Sequence, residues 1–62
     1  MIEISSRWLH LETNKIYTVL AIANEHADRE GWPVLVIYKE DNDGYIWACT
    51  VEKFLKGKTL SF

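Results

Sequence analysis

Short runs of β-branched and aromatic residues recur along the chain, each closed by polar turn residues, and this pattern predicts antiparallel strands. In Trp8-Leu9-His10-Leu11-Glu12 apolar and polar positions alternate, which sets Leu9 and Leu11 on one strand face and Trp8, His10 and Glu12 on the other. The two leucines are expected to face the core. Thr13-Asn14-Lys15 then forms a tight turn, because Asn tolerates left-handed backbone angles and hydrogen-bonds its own chain. The next run, Ile16 to Ala23, is apolar on nearly both faces. Regular alternation puts Ile16, Leu20 and Ile22 on one side and Tyr17, Val19 and Ala21 on the other, as in a central strand of a curled sheet.

The polar segment Asn24 to Gly31 is the largest irregular piece, and loops carry function more often than strands do. A third strand is predicted over Pro33 to Lys39, since a proline at a strand's first position removes no needed ladder donor. The acidic turn Glu40-Asp41-Asn42-Asp43-Gly44 returns the chain as a hairpin into a fourth strand, Tyr45 to Thr50. Thr50 is placed to cap a helical turn over Val51 to Lys56 that Gly57 ends. Val51, Phe54 and Leu55 fall at i, i+3, i+4 on one apolar face of that turn. A last strand, Lys58 to Phe62, closes the sheet. The predicted fold is all-β, a small SH3-like barrel of four to five antiparallel strands with one short helical turn before the last strand.

Length and composition limit the functions open to this fold. With 62 residues, the chain is one domain, residues 1–62, and buries only about 60% of the surface that its unfolded form exposes. Its eight aromatic residues (three Trp, three Tyr, two Phe) must therefore supply much of the core, and a homodimer would enlarge it. A net charge of −2 removes the electrostatic attraction behind most non-specific nucleic-acid affinity. One cysteine, Cys49, excludes an intramolecular disulfide and fits a reducing compartment. Met1-Ile2-Glu3-Ile4 lacks the basic and apolar regions of a signal peptide, and no apolar run is long enough to span a bilayer. A cytoplasmic location is expected.

The chain resembles a family of short bacterial and phage proteins of unknown function with an SH3-like barrel. That family's pattern runs Tyr-x-His-Tyr-Lys-Gly, Tyr-x-Val-Leu-x-Ile-Ala, Val-Val-Tyr and Leu-Trp-x-Arg-Pro, with a Phe four residues past the proline. The matching positions are His10, the stretch Tyr17 to Ala23, Val36-Ile37-Tyr38, Ile46-Trp47 and Phe54. Two departures stand out: Glu12-Thr13-Asn14-Lys15 replaces the Lys-Gly, and Cys49-Thr50 replaces the Arg-Pro. The resemblance implies a fold and no assigned activity, and the lost arginine blocks transfer of any binding role it has. A divergent, phage-encoded member is what these departures suggest.

Candidate chemistry is sparse. Cys49 with His10 or His26 supplies a thiol and an imidazole, but a lone Cys on an apolar strand is more often a small buried hydrophobe. The turn at Gly44 is no calcium loop, since aligning it puts Lys39 and Thr50 where carboxylates are required. His10, His26 and Cys49 are too few and too scattered for a zinc site. Lys53, Lys56 and Lys58 gather near the C-terminus without an aromatic platform interleaved among them, and with Arg29 they could meet a small anion. Neither a metal nor a cofactor is expected.

Aromatic residues are the best functional signal. Tyr17, Trp47 and Phe54 are expected in the core, while Trp8 and Trp32, beside polar segments, are expected at the surface. Small barrels of this kind bind ligands in aromatic-lined grooves. The expectation is a non-enzymatic protein-binding module, a phage-encoded modulator of a host protein in the sharpest version. Its binding residues are Trp8, His10, His26, Arg29 and Trp32. The alternative is an oligomer that sequesters a small molecule or nucleotide, and nucleic-acid binding ranks last.

Overall fold

The fold was obtained as a computed structural model that describes residues 2–28 and 30–61. Five strands, β1 (Arg7–His10), β2 (Ile16–Ala23), β3 (Leu35–Glu40), β4 (Ile46–Thr50) and β5 (Lys58–Leu60), form one antiparallel sheet in the order β4-β3-β2-β1-β5. A single short helix, α1 (Val51–Gly57), lies between β4 and β5. The sheet is open, with β4 and β5 as its edges. Among the described residues no helix is long and apolar enough to cross a membrane.

The turns form where the local chemistry predicts. Asn14 takes a left-handed φ of 61° and donates its amide to the His10 carbonyl at 2.8 Å, closing the β1–β2 hairpin. Gly44, at φ 74°, does the same for β3–β4 by donating to the Glu40 carbonyl at 2.8 Å. Asp43 tightens that turn by accepting from the Tyr45 amide at 2.9 Å. The Thr50 hydroxyl accepts the Lys53 amide at 3.2 Å and caps α1. Gly57 is the helix's last residue rather than a left-handed terminator, since the chain enters β5 directly at an extended Lys58. Among its described residues the long loop holds no helix, and the Ala27 amide donates to the Asn24 carbonyl at 3.2 Å.

Two face assignments differ from regular alternation. A bulge between Val19 and Ala21 shifts the β2 register. An extra residue in one strand inverts the side-chain phase, so Tyr17, Val19 and Ile22 all point to the core while Leu20 is exposed. In β1, Trp8 is the buried residue, 8% exposed, and Leu11, just past the strand's end, is 58% exposed. Trp8 wins because Phe54 of α1 covers that face: their rings meet edge to face at 5.1 Å, and the indole Nε1 donates to the Ser6 hydroxyl at 2.9 Å. A large aromatic with a partner for its N–H removes more apolar surface than a leucine.

The core consists of Trp8, Val19, Val36, Tyr38 and Phe54. Trp47, expected there, is 53% exposed on edge strand β4. The acidic hairpin turn is tied back to the sheet by its own carboxylates. Asp41 pairs with Arg7 at 3.1 Å and accepts from the Thr18 hydroxyl at 2.7 Å. The buried Glu40 carboxylate pairs with Lys15 at 3.0 Å and accepts from the Asp43 amide at 3.2 Å, and this partner raises the Lys15 pKa.

Candidate functional site

The residues singled out in the sequence do not form one site. Trp8 is a buried core residue that also lines a groove, which corrects its expected surface position. His10 is half-buried in β1 and lies on a different cavity, its ring 6.1 Å from Tyr17 and its Nδ1 3.0 Å from the Thr13 hydroxyl. His26 and Trp32 are exposed in the β2–β3 loop, Trp32 at 53%. Arg29 lies outside the described residues.

Two hollows flank α1. The first, about 270 Å³, is a groove lined by Ile2, Trp8, Ile22, Val34, Val51 and Leu55. It sits between the N-terminal segment, the β2–β3 loop and the outer side of the helix. Its floor is continuous with the core, because Ile2, Ile22 and Val51 pack against the buried cluster. Among the described residues only Glu25 brings charge to its wall. The loop is held at the groove's edge by the Asn24 amide, which donates to the Pro33 carbonyl at 2.9 Å. Asn24 itself adopts a left-handed φ of 61°, a conformation that Asn accepts more readily than most residues.

The second hollow, about 410 Å³, opens on the other side of the helix between β4, α1 and β5. His10, Tyr38, Trp47, Cys49, Lys53 and Lys58 line it. The register places Tyr38 directly opposite Trp47 on the neighbouring strand. The Lys58 ammonium lies 4.6 Å from the Tyr38 ring centre, 4.7 Å from Phe54 and 5.4 Å from Tyr17, distances at which ring quadrupoles attract a cation. Burial lowers the Lys58 pKa, the Cys49 side chain opposes this, and the nearby Lys53 charge lowers it further. Burial first, then hydrogen bonding to Cys49, drives the Tyr38 phenol well above its ordinary range.

This cavity was half visible in the sequence. Lys53, Lys56 and Lys58 stand out there as a basic group, and all three line it. The aromatic platform that seemed missing beside them comes from β3 and β4, distant in sequence and adjacent only after the hairpin forms. Among the described residues no cluster of three or more His, Cys, Asp or Glu side chains is placed to hold a metal ion. In comparisons with known proteins, no family model, curated protein or solved structure matches this chain.

Proposed function

We propose that this chain is a non-enzymatic binding module, built as an SH3-like small barrel, that holds an extended apolar segment of a partner protein. Three features support the barrel assignment. The strand order β4-β3-β2-β1-β5 places the two edges on successive parts of the chain. The β2 bulge lets one long strand bend and serve both halves of the sheet. The helix α1 bridges the edges between β4 and β5.

One observation carries the functional assignment: the apolar groove beside Leu55 and Val34. These two side chains are 50% and 37% exposed, although they border the core. A small domain with a thin core would gain by burying them, so leaving them open at a concave surface marks an interaction site. Glu25 on the wall favours a partner segment with a basic residue beside its apolar ones. Trp32, on the same loop, extends the surface with a large amphipathic ring.

A panel of immobilised peptides varying apolar and basic positions tests this. Wild-type protein should retain apolar peptides that carry a basic residue. Leu55→Asp, at an exposed helical position, should fold normally by circular dichroism and lose that retention, and Glu25→Lys should shift the preference toward acidic peptides. Unchanged retention by folded Leu55→Asp, or no retention by wild type, would overturn the proposal.

A further inference from the structure

The charge on the second cavity is out of keeping with the rest of the molecule. The chain carries a net charge of −2, yet among the described residues no carboxylate side chain lines this hollow, while three lysines do. Among the described residues Lys53 and Lys58 have no carboxylate partner, and Lys56 has only Glu52, at 3.5 Å on an exposed helical turn. Such an exposed pair holds its lysine weakly. Lys58 is kept in place by aromatic rings rather than by an anion. Desolvated positive charge without a counter-charge is unfavourable, and here it faces an open cavity.

The opposite wall supplies a different chemistry. Trp47 is half-exposed on edge strand β4, where no further strand covers it. A flat indole beside a cationic wall suits a ligand that joins a planar ring to an anionic group, the ring stacking and the charge meeting the ammonium groups. The volume, about 410 Å³, lies within the range of small-ligand sites.

We infer that the cavity between β4, α1 and β5 binds a small organic anion with a flat aromatic body, the chemistry of a mononucleotide, with Lys53 and Lys58 facing the phosphate and Trp47 facing the base. The site is separate from the apolar groove and does not depend on it. An anion here would supply the counter-charge that Lys53 and Lys58 lack among the described residues and would oppose the lowering of the Lys58 pKa.

Nuclear magnetic resonance titration of the full isotope-labelled chain with AMP, ribose 5-phosphate and adenosine tests the inference. AMP should saturate, moving the Trp47 indole N–H and the signals of Lys53 and Lys58. The other two probes should bind at least about tenfold more weakly, since each lacks one half of the ligand. Lys53→Glu, at an exposed position, should weaken AMP by at least about tenfold, while the groove variant Leu55→Asp should bind AMP as wild type does. No saturation up to about 10 mM AMP, ribose 5-phosphate binding as tightly as AMP, or equal affinity in Lys53→Glu would overturn it.

Discussion

Two apolar groups rich in aromatic rings meet opposite fates in this molecule. Trp8, Tyr38 and Phe54 form a buried chain of edge-to-face rings, with centroids 5.1 and 5.2 Å apart. Tyr45, Ile46 and Trp47 are 66%, 66% and 53% exposed. Hydrophobicity does not separate them. The first group comes from β1, β3 and α1, which enclose a common interior, whereas the second leads into edge strand β4, which has one neighbouring strand. Burial is set by where the topology puts a residue, and β4 is left with surplus apolar surface.

The sharpest way to break this contrast is to truncate its buried half. Phe54 is fully buried and touches both Trp8 and Tyr38, so Phe54→Ala should cost about 3–5 kcal/mol. In a domain this small that approaches the whole stability, and urea denaturation should show a largely unfolded population. Persistence of a cooperative, near-wild-type transition would mean that the helix does not close the core.

Alkaline titration probes the same buried group. The Tyr38 pKa is raised, mainly by burial, so the folded chain keeps its phenol proton after the unfolded chain has lost it near the ordinary value of 10.0. The unfolded state then binds fewer protons, and stability falls as pH rises above that value. Lys58, with its pKa lowered, acts in the other direction, because losing its proton on the way to 10.5 relieves the fold. Difference absorbance should show the Tyr38 phenol resisting ionisation until the chain unfolds, and Tyr38→Phe should abolish that resistant fraction.

Smaller effects belong to the polar ties. Glu40→Gln removes the charge that holds Lys15 and weakens acceptance from the Asp43 amide at the β3–β4 turn. A cost of about 1–3 kcal/mol is expected from disturbing this buried acceptor, read as a lower denaturation midpoint. Thr50→Ala deletes the helix cap and should cost about 1 kcal/mol, or about 4–8 °C in Tm for a domain of this size.

What was legible in the sequence was local. Asn14, Gly44 and the Thr50 cap announce themselves because their conformations depend on side chains a few residues away. The β1 face choice, the β2 bulge and the exposure of Trp47 were not legible, because each depends on which distant element packs alongside. Phe54 selects Trp8 over Leu9, and the bulge at Leu20 inverts the alternation that a straight strand would keep. The same applies to the candidate sites. Three lysines near the C-terminus are visible as a group, but His10, Tyr38, Trp47 and Cys49 reach them only through β1, β3 and β4.

The exposed half of the contrast gives the smallest stability change and the most informative one. Trp47 has its neighbour Tyr38 on one side only and is half in solvent, so Trp47→Ala should alter stability by no more than about 0.5 kcal/mol. If the indole were instead holding the β3–β4 hairpin together, its loss would cost as much as a core truncation and would also shift the Tyr38 titration. Measured beside Phe54→Ala under identical urea conditions, the pair isolates topology from residue type, since both remove a large aromatic side chain. A Trp47→Ala protein that is as stable as wild type but fails to bind AMP would show that β4 keeps its indole in solvent for a ligand rather than for the fold.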